Sequence, residues 1–126
     1  MREAYDFLRE AGVWFLATSE GGQPRVRPFD SICLCRDRLY FQTGRFTAVS
    51  LELHANPRVE LCALRGNEWL RIEGSTVLDD SAEARTSMPM HDGRYDPENT
   101  EAEHWYLRNC TAALYDGAEL VKTWRF

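Results

Sequence analysis

Pro24-Arg-Val-Arg-Pro-Phe29 and Leu39-Tyr-Phe-Gln-Thr-Gly-Arg45, linked through the charged turn Arg36-Asp-Arg38, decide how this chain folds. Both read as extended runs bounded by turn formers: the first belongs to a strand over residues 24–36, the second to a strand over 39–43. Upstream, residues 13–19 form a continuous apolar run closed by Glu20-Gly-Gly-Gln23, a turn signal that predicts a hairpin with the strand that follows. Downstream, residues 47–55 read as a short helix, with Thr47 able to cap its N-terminus and Val49, Leu51 and Leu53 as its apolar positions. The alternation of those three residues would also fit a strand. Asn56-Pro57 favours the helix, because it is a poor strand interior and a good helix exit.

The rest of the chain follows the same grammar. Residues 1–11 carry apolar side chains at helical spacing, and Gly12 ends the helix. Alternating runs at 58–64 and 69–78 flank the turn Arg65-Gly-Asn-Glu68 and make a second hairpin. Asp79-Asp80-Ser81 can cap a helix over 82–88, residues 89–100 read as a loop, and 105–115 with 118–126 close the chain as a hairpin about Asp116-Gly117. Six or seven strands with short peripheral helices predict a mostly β protein, an antiparallel barrel built as one domain over residues 1–126. At 126 residues and 44% hydrophobic content, such a domain buries roughly two-thirds of its unfolded surface.

Composition narrows the function classes. The apolar runs fall far short of the roughly 20 residues that cross a bilayer, and the acid-bearing N-terminus has no apolar leader, so a soluble cytoplasmic protein without a membrane partner is expected. Cys33, Cys35, Cys62 and Cys110 lack knuckle spacing and read as reduced, mainly buried thiols. Cys33 and Cys35 share one face of a strand, which would hold a soft metal only with two further ligands, and none lies near in sequence. A net charge of −5 speaks against nucleic acid as a partner. The charge is unevenly spread: Arg25, Arg27, Arg36, Arg38 and Arg45 face only Asp30 and Asp37, while residues 79–103 hold eight acids against Arg85 and Arg94.

If the strands at 24–36 and 39–43 pair, Arg25 and Arg27 share a face beside the N-terminus of the 47–55 helix. Arginine forks, the hydroxyls of Thr43 and Thr47 and free helix amides together make a phosphate site. The same arginines would equally serve as the solvated faces of strands.

Four motifs in order and spacing, Pro24-Arg-Val-Arg-Pro-Phe29, Leu39-Tyr-Phe-Gln-Thr43, Leu53-His-Ala-Asn-Pro-Arg-Val-Glu-Leu-Cys62 and Trp69-Leu-Arg-Ile-Glu-Gly74, resemble the pyridoxamine 5′-phosphate oxidase-like, FMN-binding split-barrel family. The resemblance covers about residues 13–80, with a weaker echo at 113–126. It implies FMN bound at the interface of a homodimer, both subunits contributing to each site. By position, Arg25, Val26, Arg27, Pro28 and Phe29 would line the flavin and its ribityl phosphate. Gln42 and Thr43 would touch ring or phosphate, and Trp69 would approach the ring. Relatives commonly place a lysine on the phosphate at the start of the short helix; this chain reads Gly44-Arg45-Phe46-Thr47, with Arg45 as the substitute ligand. The vitamin B6 oxidase has a longer, arginine-rich C-terminus, whereas this chain ends Lys122-Thr-Trp-Arg-Phe126, so pyridoxamine phosphate is not the expected substrate.

The implied function is a flavin-dependent oxidoreductase acting on a small molecule. The alternative on the same barrel is a flavin or haem carrier or sensor without turnover. An aromatic-lined barrel for single-stranded nucleic acid is a third reading, opposed by the negative charge. His54, His91 and His104 lack metal spacing and read as ordinary surface or helix-end residues. Trp14 and Trp105 read as core, Trp124 as core or as an aromatic cover for the partner's flavin, and Met88-Pro-Met90 as core or loop. The acidic stretch 92–103 reads as a solvated face or a lid.

Overall fold

The computed structural model describes residues 1–87 and 102–126. The expectations for Met88-Pro-Met90, His91 and the 89–100 loop fall outside them. In chain order the elements are α1 (Arg2–Ala11), β1 (Trp14–Glu20), β2 (Gln23–Phe29), β3 (Cys33–Cys35), β4 (Arg38–Gly44), α2 (Ala48–Ala55), β5 (Arg58–Arg65), β6 (Glu68–Leu78), α3 (Ala82–Ser87), β7 (Ala102–Asp116) and β8 (Glu119–Arg125). Every strand pairing among the described residues is antiparallel, in the order β2-β1-β5-β6-β7-β4-β3, with β8 on β7. The expected split barrel is what forms: a strongly curled sheet whose two end regions, β2 and β3–β4, do not pair with one another.

The predicted strand over 24–36 is two strands. Pro24 and Pro28 have no N–H to donate, so β2 can lie only at an edge, where it pairs β1 from Gln23 to Phe29. Asp30-Ser31-Ile32 then carry the chain across the opening, and β3 pairs β4 at the other end of the sheet. Arg36 and Asp37 turn into β4 with φ of 51° and 57°, the left-handed region.

β7 makes the split possible. One side of it pairs β6 along most of its length; the other side pairs β4 at residues 102–106 and β8 at 111–116. The change of partner coincides with a bulge, where the register jumps between Glu73 and Ser75 and Asn109 takes φ 55°. Gly74 sits in the crook: a Cβ there would lie 2.8 Å from Cys110 Sγ and 3.1 Å from the Arg108 carbonyl oxygen. Gly74→Ala is therefore expected to cost about 1–3 kcal/mol by overpacking. In chemical denaturation the added Cys110→Ala change should recover part of that loss, and strictly additive effects would show that the contact is not the cause.

The core is built by alternation. Trp14 and Leu16 of β1, Leu61 and Ala63 of β5, Leu70 and Ile72 of β6, and Ala112 of β7 are all buried. Trp14 stacks on Phe29 at 5.1 Å, and both meet Phe41 of β4 edge-on at 5.6 and 5.7 Å, so three aromatics bridge the opening. Helix α1 buries Ala4, Phe7 and Leu8, closes with the left-handed Gly12, and takes Arg65 of β5 over the Phe7 ring. No helix among the described residues is long and apolar enough to cross a membrane.

Candidate functional site

Helix α2 spans the opening between β1–β2 and β4, and the residues singled out by the sequence gather around it or fail to. At its N-terminus, the Thr47 hydroxyl accepts from the Ser50 amide (3.3 Å) and donates to the Gly44 carbonyl (2.7 Å), which folds Gly44–Thr47 into a tight turn. First-turn amides of an α-helix have no acceptor within the helix. Arg45 is half-buried in this turn. Phe46 is 81% exposed and holds φ at 71°, a costly backbone for a bulky side chain.

A cleft of about 500 Å³ runs along α2, between it and the β1–β2 turn, lined by Ser19 to Gly22 and by Ala48, Leu51, Glu52, Ala55 and Asn56. That volume lies within the roughly 300–1,000 Å³ range of small-molecule sites. Leu51 faces outward, 67% exposed, while Val49, Ser50, Glu52 and Leu53 are buried. The expected apolar set of α2 thus holds for Val49 and Leu53 only.

Arg27 crosses the opening. Its guanidinium donates to Glu52 Oε1 of α2 at 2.5 Å, to Thr18 Oγ1 at 2.7 Å and to the Leu16 carbonyl at 3.3 Å. The Thr18 hydroxyl also donates to Glu52. Desolvation pushes the Glu52 carboxyl up, but Thr18 and Arg27 outweigh it and hold it below the usual range. Arg25 shares that side of β2 and pairs with the exposed Glu20 at 3.6 Å, while Val26 and Pro28 face outward.

Thr43 is turned inward. Its hydroxyl accepts from Trp105 Nε1 at 3.1 Å and lies 3.4 Å from Glu103 Oε1. Glu103 also accepts from the Ser50 hydroxyl at 2.6 Å, and its second oxygen meets His54 Nε2 at 3.0 Å. Burial raises this carboxyl; Ser50 and His54 more than offset that and lower it. Gln42, next along β4, points to the opposite face.

Trp69 lies on the outer face of β6, stacked on Tyr115 at 4.1 Å and donating to the Gly117 carbonyl at 2.8 Å. Trp124 is packed beside α1, with Lys122 Nζ 5.2 Å from its ring. The structure therefore brings together Gly44, Arg45 and Thr47, joins Arg27 to α2, and sets Trp69 and Trp124 on other surfaces. Phe46 and Glu52 were missed: neither an exposed aromatic in a turn nor an acid within an apolar helix signals its role without the partner across the opening.

A sequence profile described as pyridoxamine 5′-phosphate oxidase matches residues 1–103. The chain belongs to this family. No functionally curated protein matches it. Among solved structures, a NimC/NimA family protein from Clostridium acetobutylicum superposes with TM-score 0.89 at 27% identity, over 100% of this chain and 93% of that one. A pyridoxamine 5′-phosphate oxidase-related, FMN-binding protein from Nostoc punctiforme gives 0.66 at 19%, over 98% and 86%. A haem-binding protein from Mycobacterium smegmatis gives 0.71 at 15%, over 98% of this chain and 57% of that one.

Away from α2, family membership leaves unexplained a second polar cluster at the other end of β4. The Tyr40 hydroxyl donates to Asp79 Oδ2 at 2.8 Å, Arg36 donates to the same oxygen at 3.0 Å, and the Ser81 amide donates to Oδ1 at 3.0 Å. Desolvation would raise Asp79, but Ser81, Tyr40 and Arg36 together bring it down to about 2. A carboxyl lowered on folding contributes stability above its unfolded value, near 3.9, and loses it as pH falls towards the folded one. Asp79→Asn is thus expected to be less stable than the parent at neutral pH, and its urea midpoint should converge with the parent's between about pH 4 and pH 2. Parallel curves would show that the cluster does not stabilise the ionised form. His104 adds an earlier limb. Burial and Arg85 lower it from 6.5, so the unfolded chain takes its proton first and stability declines below about that pH.

Proposed function

We propose that this chain is an FMN-binding flavoprotein, an oxidoreductase acting on a small organic molecule, working as a cytoplasmic homodimer. The observation that carries the reading is the turn at the head of α2, the helix whose outer side lines the cleft: an exposed aromatic, Phe46, held in left-handed backbone between Arg45 and the capping Thr47. Strained, exposed backbone at a helix N-terminus is the kind of geometry kept for a ligand.

The donor set fits a phosphorylated aromatic cofactor. Arg45 and the first-turn amides of α2 would hold the phosphate, Thr47 would fix the turn that presents them, and Phe46 would lie against the ring. Arg27, expected to line the flavin and its phosphate, bonds Glu52, and Thr43, expected on ring or phosphate, bonds Trp105 and Glu103. The phosphate grip therefore falls chiefly to Arg45. When bound, FMN supplies hydride or electron transfer at its ring, and the protein's part is to position it and exclude water.

A second copy has a surface to meet. Phe15, Val26 and Leu64 are exposed on the outward side of β1, β2 and β5, and cross-strand pairing sets Phe15 beside Cys62 and Pro28. Cysteines outside disulfides suit a reducing compartment.

The test is an absorbance spectrum of the protein as purified, repeated after incubation with FMN and desalting. Flavin bands at one per chain support the reading, and a colourless protein that retains no flavin overturns it. Anaerobic bleaching by NADH or NADPH then separates an oxidoreductase from a carrier, which would hold the chromophore unreduced.

A further inference from the structure

Cys33 and Cys35 stand two residues apart on the short edge strand β3, so that both thiols lie on one face of it. Cys33 is buried and Cys35 partly exposed. The other two cysteines are placed elsewhere: Cys62 is exposed on β5 and Cys110 is buried at the bulge of β7. We infer that Cys33 and Cys35 form a peroxide-reactive dithiol that closes reversibly to an intrastrand disulfide, with Cys35 as the sulfur attacked first by oxidant and Cys33 as the resolving thiol.

The geometry permits closure and limits its strength. Residues two apart on a strand are about 6.6–6.8 Å apart at Cα, the upper end of the span a disulfide accepts. Bridging therefore requires the strand end to bend. β3 offers little resistance: it is three residues long, pairs β4 alone among the described residues, and runs straight into the left-handed Arg36 and Asp37. A disulfide closed at that limit is strained, which makes it easy to reduce and suits a reversible modification rather than a structural staple.

The division of roles follows from exposure. Burial, and then the neighbouring Cys35, push the Cys33 thiol up to about 12, so it is a poor first nucleophile. Cys35 is the accessible sulfur. Its thiolate attacks one oxygen of a hydroperoxide, the O–O bond breaks, and the departing oxygen leaves as hydroxide or alkoxide and takes a proton. Cys35 is now a sulfenic acid. The Cys33 sulfur attacks it, the S–O bond breaks, and the leaving hydroxide takes the Cys33 proton as water. Two thiols are oxidised by two electrons and one peroxide is reduced. The first charge that closure would disturb is Arg36, next to Cys35, whose guanidinium bonds Tyr40 and Asp79.

The test treats the folded protein with limiting hydrogen peroxide, blocks free thiols with N-ethylmaleimide and digests with trypsin. Residues 26–36 emerge as one peptide, since Arg27 precedes proline, and it contains both cysteines and neither of the others. The expected result is a peptide lighter by two hydrogens that takes no maleimide and regains two maleimide groups after dithiothreitol. In Cys33→Ser, Cys35 should instead accumulate as a sulfenic acid that dimedone captures. Retention of both maleimide groups after Cys62 has been oxidised overturns the proposal, as does oxidation of Cys35 to the sulfinic acid in the parent without an intervening disulfide. The parent protein alone yields the first readout, so the result stands even if the variant folds poorly.

Discussion

Arg27→Ala should lower the stability of the folded chain by about 3–5 kcal/mol in chemical denaturation, the penalty for leaving a buried charge without its partner. The side chain of Glu52 is 4% exposed and that of Arg27 23%, so water replaces the lost bonds only in part, from the cleft that Glu52 borders. The carboxylate would keep the Thr18 hydroxyl. Glu52→Gln in the same background should restore much of the loss, because a neutral amide is far cheaper to bury. Replacing both partners with apolar residues, Arg27→Met with Glu52→Leu, should come close to the parent, since well-packed hydrophobic pairs often match buried ion pairs. The acid limb supplies an independent check. Glu52 is depressed in the folded state, so its contribution is present above its unfolded value and lost as pH falls through the folded one. Without Arg27 that part of the limb should flatten. A loss below about 1 kcal/mol would place the pair with solvent-screened surface bridges.

This pair also marks where sequence reading stopped. Alternation and turn chemistry made the hairpins legible: Leu61 and Ala63 against Leu70 and Ile72 need only a period of two and the turn at Gly66. The prolines of β2 are equally visible, but an apolar and polar pattern that runs on from Phe29 to Cys35 does not separate β2 from β3. Local pattern does not say that a chain leaves one end of a sheet and rejoins the other. The change of partner along β7 was hidden for the same reason, because it depends on a bulge formed against Gly74 of another strand. At the site, Gly44, Arg45 and Thr47 could be read from a capping signal and a cation. Arg27 could not, since its fate is set by Glu52, 25 residues away. The strained Phe46 left no mark at all, as left-handed backbone is announced in sequence only by glycine or asparagine.

Arg45→Ala should weaken FMN binding by about 10–100-fold in a fluorescence titration, the worth of roughly 1.5–3 kcal/mol for a hydrogen bond to a charged group. The loss should shrink as salt rises, because the interaction is between charges near solvent. Arg27→Ala, compared at a temperature where both variants are folded, should change affinity much less, since its guanidinium already belongs to Glu52. If Arg27 proves the stronger determinant, the pair opens to receive the phosphate and the proposed division of labour fails. Phe46→Gly separates binding from folding most sharply. Glycine takes φ of 71° without the strain a phenylalanine carries there, so the variant should gain stability of about 1 kcal/mol. It should also lose the ring contact, and with it several-fold in flavin affinity. A change that stabilises the protein while weakening its ligand is the signature of strain kept for binding. A variant that gains stability and binds flavin undiminished would make Phe46 an accident of the turn.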